Sequence, residues 1–246
     1  MTRDGTTTDD PSTDPSEGAS REPADAADQA PAFRFGFTRD WPAYFAVMDG
    51  KGPRETALRA LDAFAAEGVP DAGKIAEAEA PIPLAVDLGC GEGRDTQEIL
   101  ARGWRCVAID GHEAAFENMR KRGILDHPAL DARLEPMEEC AIPACDLLNA
   151  SFSLAFCHPD RFRPLWTVIR HAIEPGGRFA GQLFGDRDTW ASLPDRSHFT
   201  RAEAEALLDG FEIEHFEEDE KDSTDAEGQD KHWHVFHVVA RQPDDA

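Results

Sequence analysis

The sequence has 246 residues, with 49 acidic against 25 basic side chains and a formal net charge of -24. This length suits one large α/β domain with a substantial core, followed or preceded by a tail. The negative charge repels polyanions and excludes nucleic acid as an expected partner.

The composition also indicates a compartment. Five lysines against 20 arginines, in an acid-rich chain, are typical of a surface adapted to a very salty cytoplasm, where ions screen self-repulsion. A merely acidic protein is the alternative. No apolar run approaches the ~20 residues that span a bilayer, and the five cysteines contain no C-x-x-C pair. We therefore expect a cytoplasmic protein without disulfides or a membrane partner.

The N-terminal segment differs from the rest of the chain. Residues 1–31 contain no Val, Ile, Leu or aromatic residue, and eight acids outnumber two arginines. Such a segment cannot offset its ordering entropy, so we predict a disordered acidic tail over residues 1–32. Aromatic residues then cluster, and with Pro53 at a predicted first helical position they indicate an N-terminal helical cap or lid over residues 33–80. The cluster comprises Phe33, Phe35, Phe37, Trp41, Tyr44 and Phe45.

From residue 81 to residue 246 short apolar runs alternate with amphipathic stretches. This alternation predicts βαβ units and a doubly wound, mostly parallel seven-stranded α/β sheet that ends in an antiparallel β-hairpin. We expect Pro175-Gly176-Gly177 to connect a helix to a strand, Thr200 and Glu203 to form a capping box, and residues 217–230 to form a solvated acidic loop. The predicted strands are LAVDLG, CVAID and residues 132–134, 147–151, 178–184, 211–216 and 232–240.

The most informative stretch is VDLGCGEGRDT, a buried strand that turns through Gly89, Gly91 and Gly93 into a helix. Glycine lets the backbone approach a ligand at the carboxyl edge of a sheet. A dinucleotide fingerprint would need glycine at position 94, which is Arg94. An ordinary βαβ turn is the structural alternative.

A second acid, Asp110, ends the next strand, 17 residues beyond Gly93. A carboxylate there can accept hydrogen bonds from both hydroxyls of a ribose. With the preceding Asp87, the G-x-G-x-G turn resembles the first motif of class I S-adenosylmethionine-dependent methyltransferases. The run over residues 33–241, including the Pro-Gly-Gly segment and the closing acidic hairpin, looks like small bacterial methyltransferases related to the tellurite-resistance group.

The resemblance implies a Rossmann-like methyltransferase domain over residues 81–246 that binds S-adenosylmethionine and releases S-adenosylhomocysteine. It implies ribose and methionine contacts near the glycine turn, an adenine frame at Met137 and Glu138, and methionine contacts from Asn149 and Ser151. An exposed loop is the alternative for the adenine pair. The complete predicted cofactor set is Asp87, Gly89, Cys90, Gly91, Gly93, Asp110, Gly111, Met137, Glu138, Asn149 and Ser151.

The acceptor side is less specific. His158 is the candidate base, and His198, Trp41 and Tyr44 are candidate substrate contacts, with loop histidines and core aromatics as the alternatives. The strand-four motif is not the D/N-P-P-Y/F of amino-group methylases that act on adenine or glutamine. The absence of a convincing base favours a small acceptor with its own lone pair: a thiol, an amine, a carboxylate or a chalcogen oxyanion.

The three histidines of HWHVFH, at positions 232, 234 and 237, invite a metal interpretation. On a strand only positions 232 and 234 share a face, and no Cys or carboxylate follows at ligand spacing, so we predict no metal site. Two other functions compete with methyl transfer. One is a non-catalytic S-adenosylmethionine-binding sensor or scaffold, and the other is an NAD-binding oxidoreductase, which Arg94 disfavours. The oligomeric state has no signature in the sequence.

Overall fold

The computed structural model describes residues 40–69 and 81–244, and the predicted tail over residues 1–32 lies outside them. Its centre is one seven-stranded sheet with the order β3-β2-β1-β4-β5-β7-β6. The strands are β1 Leu84–Leu88, β2 Arg105–Asp110, β3 Leu130–Leu134, β4 Cys145–Ala150, β5 Ile173–Phe184, β6 Glu212–Thr224 and β7 Asp230–Arg241.

Helices cover both faces of this sheet. Two short 3₁₀ helices, Leu154–Phe156 and Thr189–Ser192, lie in the loops after β4 and β5. No helix in the described ranges is long and apolar enough to cross a membrane. The α-helices are α1 Trp41–Met48, α2 Glu55–Ala66, α3 Arg94–Ala101, α4 Glu113–Lys121, α5 Pro159–Ala172 and α6 Arg201–Leu207.

The topology creates a crevice beside β1. Strands β1 to β5 are parallel, and β7 runs antiparallel between β5 and β6. The chain moves outward from β1 through β2 to β3 and then returns to the other side of β1 with β4. The carboxyl ends of β1, β2 and β4 therefore surround the switch point where doubly wound sheets bind ligands. The predicted mostly parallel sheet with a terminal hairpin is confirmed.

The core forms two layers, one on each face of the sheet. On one face α5 and α6 pack against β4 and β5 through Phe162, Trp166 and Phe179. On the other face α3 packs against β1 and β2, and α2 packs against β5 and β7, with Leu61 and Ile99 in the same buried cluster. The predicted N-terminal helical segment thus contributes α2 directly to the core, while residues 33–39 and 70–80 of that segment lie outside the described residues.

Three local predictions were wrong. Pro175-Gly176-Gly177 lies inside β5, because Ile173 already pairs with Cys145 and Gly176 and Gly177 bond to Gln242 at the end of β7. Residues 217–224 of the acidic stretch belong to β6 and pair with β7, so this part of the stretch is not a loop. Pro53 precedes the helix, since α2 begins at Glu55. Pairing with distant strands makes the Pro-Gly-Gly segment and the acidic stretch part of the sheet, and local composition does not indicate such pairing.

The capping box at α6 is confirmed. Thr200 Oγ1 accepts the N–H of Glu203 at 3.2 Å, and the Glu203 carboxylate accepts the N–H of Thr200 at 2.8 Å. The box starts the helix at Arg201 because it satisfies two backbone donors that have no partner inside the helix.

A buried ion pair joins the 3₁₀ helix after β5 to the start of β7. Lys231 and Asp188 form a salt bridge, with side chains 1% and 0% exposed. Asp188 also accepts the N–H of Trp190 at 2.9 Å, and the Lys231 ammonium lies 4.0 Å from the Trp190 ring centroid and 4.3 Å from that of Trp233. The pair therefore holds two tryptophan rings in place beside the open edge of the sheet.

Lys231→Met tests this pair. Removal of one partner leaves the Asp188 charge buried without its cation, so we expect a loss of about 3–5 kcal/mol in the free energy of unfolding. Urea denaturation followed by circular dichroism measures it. The control is Lys221→Met, which removes an exposed lysine from β6 and should change stability by less than about 0.5 kcal/mol. Equal effects of the two substitutions would contradict a structural role for the buried pair.

Candidate active site

The glycine turn after β1 brings the backbone to the crevice. Gly89 and Gly91 adopt positive φ values of 72° and 54°, a region that side chains rarely adopt. A Cβ at Gly89 would lie 2.3 Å from the Cβ of Ser153, whose hydroxyl donates to the Leu88 carbonyl at 2.6 Å. Glycine is required here because the loop after β4 closes onto the turn.

Two carboxylates are buried below this turn. Asp87 ends β1 and Asp95 lies in the first turn of α3, and they are 1% and 3% exposed. Asn149 on β4 donates its amide to both, at 2.9 Å to Asp87 and 3.1 Å to Asp95. Thr96 donates to Asp87 at 2.6 Å, and the backbone N–H of Arg54 donates to Asp95 at 2.7 Å. The network ties β1, α3, β4 and the start of α2 together.

This pair has no salt bridge among the described residues, although the Arg54 guanidinium acts on Asp95 at longer range. In the described part of the chain neither Asp87 nor Asp95 forms an ion pair with Lys or Arg. Burial raises the pKa of Asp87 to about 7, and the neighbouring charge of Asp95 acts in the same direction. An ammonium group in the crevice would relieve both effects. The pair is therefore an electrostatic receptor for a cationic group.

Asp110 lies at the end of β2 on the opposite side of the turn. Its two carboxylate oxygens accept the backbone N–H groups of Gly91 and His112, each at 2.9 Å. Burial raises its pKa to about 6, although these hydrogen bonds oppose the shift. Each carboxylate oxygen has a second lone pair. The side chain is thus fixed in place with capacity left for two hydroxyl donors.

These groups share one narrow cavity of about 80 Å³. The cap contributes Trp41, Tyr44 and Phe45, with Trp41 packed edge-to-face on Phe156 at 5.0 Å. Most predicted cofactor residues lie on its wall: Asp87, Gly89, Cys90, Gly91, Asp110, Gly111, Met137, Glu138 and Ser151. Gly93 and Asn149 do not line it. Gly93 packs on Met119 instead, and Asn149 lies behind the two carboxylates.

A larger second cavity, of about 710 Å³, adjoins the first. Tyr44, Phe152 and Phe156 line both, so these rings form the partition between them. Phe152 has a positive φ of 54°, an uncommon conformation for a bulky residue, and its N–H donates to Gln182 at 2.9 Å. His237 lines the second cavity beside Gln182, and burial lowers its pKa, so its ring is neutral at neutral pH.

The two histidines proposed for the acceptor lie outside the walls of both cavities. His158 is the N-cap of α5, and its Nδ1 accepts the N–H of Asp160 at 3.2 Å. His198 is buried near Asp188, with 6% of its side chain exposed. His158 thus caps α5 and does not line either of these two cavities.

Two histidines of the hairpin, His232 and His234, contact carboxylates. Glu218, Glu220 and His234 lie close enough together to hold a metal ion. The Arg187 guanidinium contacts all three, at 2.8, 2.7 and 3.0 Å. A protein cation thus occupies the centre of the group, which supports the structural interpretation of these histidines.

Several site residues escaped the sequence analysis. Asp95 follows the glycine turn by two positions, and its pairing with Asp87 depends on the helix that starts at Arg94. Arg54, Gln182, Trp190 and Trp233 come from three separated segments that only the tertiary structure brings together. In the sequence, Trp190 and Trp233 near the predicted strands were the one feature that could have indicated the second cavity.

Comparison with known proteins agrees with this geometry. Residues 85–177 match the family described as a methyltransferase domain, from β1 through the start of β5. This segment is a methyltransferase domain. A probable cobalt-precorrin-6B C(15)-methyltransferase (decarboxylating) of Methanothermobacter thermautotrophicus is 30% identical over 99 residues, which cover 39% of this chain. The match spans about half of that protein, 49% of its length.

Solved structures share the fold of the methyltransferase domain. TehB from Haemophilus influenzae superposes with a TM-score of 0.61 at 15% identity, covering 82% of this chain and 67% of that one. The 1,6-didemethyltoxoflavin-N1-methyltransferase of Burkholderia thailandensis, solved with its substrate and S-adenosylhomocysteine, gives 0.54 at 21% identity and 81% coverage of both chains. The resemblance to the tellurite-resistance group is thus confirmed, because TehB is a structural neighbour.

The buried carboxylate of the methyltransferase domain predicts a pH dependence of stability. The pKa of Asp87 is about 7, against an ordinary value of 3.8. The folded protein therefore holds this proton more tightly than the unfolded chain, and stability present at about pH 4 is lost as the pH rises towards 7. One proton accounts for at most about 1.4 kcal/mol per pH unit.

Asp87→Asn removes this charge while it keeps the shape of the side chain. We expect the variant to be more stable than the wild type at about pH 8 and to lose less stability between about pH 4 and 7. Asp110 and Glu92, whose pKa values burial also raises, contribute to the remaining slope. Urea denaturation without added ligand measures both curves. The exposed Asp126→Asn is the control, and an Asp87→Asn curve parallel to the wild type would be inconsistent with the buried charge.

Proposed function

We propose that this protein transfers the methyl group of S-adenosylmethionine to a small-molecule acceptor. One observation carries the proposal: a cavity with a buried carboxylate pair and a half-buried Asp110 adjoins a larger aromatic cavity at the carboxyl edge of the sheet. The wall of the first cavity offers partners for a ribose and for a cationic group, and the second cavity offers room for a second reactant. S-adenosylhomocysteine would be the product.

The residues of the first cavity fit the cofactor group by group. Asp110 accepts hydrogen bonds from the ribose hydroxyls, because its carboxylate is held by Gly91 and His112 with lone pairs to spare. Asp87 and Asp95 hold the α-ammonium of the methionine end. Met137 and Glu138, on the wall beyond β3, frame the adenine, and Ser151 faces the methionine end. Gly89 and Gly91 allow the close approach.

The chemistry asks little of the protein beyond alignment. Bound S-adenosylmethionine supplies a methyl group already activated by its sulfonium. The chain must hold the acceptor in line behind that methyl and exclude water. The partition formed by Tyr44, Phe152 and Phe156 lies between the two cavities and serves both tasks. The neutral ring of His237 can take up a proton from an acceptor that carries one.

The volume of the second cavity supports a small acceptor over a macromolecular one. The second cavity of about 710 Å³ lies within the usual range for small-molecule sites. The net charge of -24 argues against a nucleic-acid acceptor. A sensor or scaffold that binds the cofactor without turnover remains the competing function, and binding without product across acceptor classes would favour it.

Asp110→Asn tests the cofactor site. Calorimetry should give saturable binding of S-adenosylmethionine and S-adenosylhomocysteine to the full chain, and none of NAD. The substitution removes a charged acceptor, worth about 1.5–3 kcal/mol per hydrogen bond, so affinity should fall at least about tenfold. Asp126→Asn, which neutralises an exposed carboxylate, should bind like the wild type. Absence of binding in folded wild-type protein would sink the proposed function.

We also propose that the protein works in a salt-rich cytoplasm. The acidic side chains, which give a net charge of -24 and are dense on β6, repel one another at low ionic strength. Raising the salt from about 0.1 M to about 1 M shortens the screening length from about 10 Å to about 3 Å. The melting temperature should therefore rise between about 0.1 and 1 M KCl, as scanning calorimetry would record. NaCl at equal ionic strength should act alike, and a constant or lower melting temperature would refute the proposal.

A further inference from the structure

The second cavity has a wall of aromatic rings. Phe184 and Trp190 are stacked with 17° between their planes, and Trp233 lies 5.8 Å from Trp190. The ammonium of the buried Lys231–Asp188 pair contacts the rings of both Trp190 and Trp233 and fixes them. Phe152 and Phe156 complete the side that faces the first cavity. Rigid walls of aromatic rings favour planar ring systems as ligands.

The cation Arg54 in this cavity forms no salt bridge in the described residues, although Asp95 and Glu92 act on it at longer range. The Arg54 guanidinium lies 4.2 Å from the Phe152 ring centroid and lines the cavity. Within residues 40–69 and 81–244 it has no carboxylate in an ion pair and donates no side-chain hydrogen bond, and its Nε is buried without a partner. An arginine stays charged in such surroundings. Its backbone is fixed, since its N–H donates to Asp95 at 2.7 Å.

The acids around the cavity are already engaged. Glu55 pairs with Arg59 at 3.2 Å, and Asp219 pairs with Lys221 at 2.6 Å. Asp225 accepts two backbone N–H groups of its own turn, at 2.9 and 3.0 Å. Each of these side chains therefore has a partner other than Arg54. The side-chain donors of Arg54 are thus left for a ligand.

We propose that the second cavity binds a planar aromatic carboxylate, with its carboxylate on Arg54 and its ring against the wall of Phe184, Trp190 and Trp233. A guanidinium offers a planar fork of donors that matches a carboxylate, and a bidentate pair fixes the orientation of the ring. The inference rests on the proposed function, because it assigns the acceptor class of that same site. Arg54 is then a specificity-determining residue of the acceptor site.

Matched acid and amide probes test this assignment. Benzoate and 2-naphthoate, with their carboxamides, are titrated into the full chain with and without S-adenosylhomocysteine, and tryptophan fluorescence reports occupancy beside Trp190 and Trp233. We expect 2-naphthoate to bind at least about tenfold more tightly than 2-naphthamide. Arg54→Gln should abolish that preference, and Arg54→Lys should restore part of it. Lys51→Gln, which neutralises an exposed cation on the same cavity, should keep it.

Equal affinity for acid and amide, or no binding of either acid, overturns the inference. This comparison uses the wild-type protein and does not depend on the folding of a variant. An acid preference that survives in Arg54→Gln also overturns it. Calorimetry with S-adenosylhomocysteine reports separately on the first cavity, and Arg54→Gln should bind it within about twofold of the wild type. Failure of the acid preference with intact nucleoside binding sinks the inference alone, whereas loss of nucleoside binding in the wild type sinks the proposed function.

Discussion

The site depends on two buried carboxylates that share one amide. Asp87 and Asp95 would repel each other in a dry interior, and Asn149 holds them together by donating to both. Each partner belongs to a different element, and the backbone of Arg54 adds the start of α2 to the same network. Removal of the Asn149 amide would leave Asp87 and Asp95 each with one hydrogen-bond donor fewer. The same hydrogen bonds therefore fix the positions of β1, α3 and β4 and keep the two charges at the cavity.

The same network connects the two cavities. Arg54 is held at its backbone by Asp95 and stacks its guanidinium on Phe152, which belongs to the partition. Phe152 keeps its strained backbone because Gln182 accepts its N–H and neighbouring rings surround it. Arg54 therefore connects the carboxylate pair of the first cavity with the partition.

Prediction from sequence succeeded where the interaction is local. The glycine turn and its conformation, Asp110 at the strand end, and the Thr200–Glu203 capping box all follow from neighbouring residues. It failed where a distant strand decides. Pro175-Gly176-Gly177 has the composition of a breaker but joins β5 because β4 and the end of β7 supply hydrogen bonds. The acidic residues of β6 become a strand because β7 pairs with them and Arg187 neutralises two of them.

The sequence by itself determined the α/β alternation, the crevice at the end of β1 and most of the residues on its wall, because hydrophobic periodicity and glycine act over a few residues. Only the tertiary structure decided that Asp95 joins Asp87, that Gly93 and Asn149 stand behind the wall, and that His158 caps a helix. It alone assembled the second cavity, since Arg54, the segment with Gln182 and Trp190, and Trp233 are far apart in the chain. Their meeting depends on strand order and long-range packing, which no local pattern encodes.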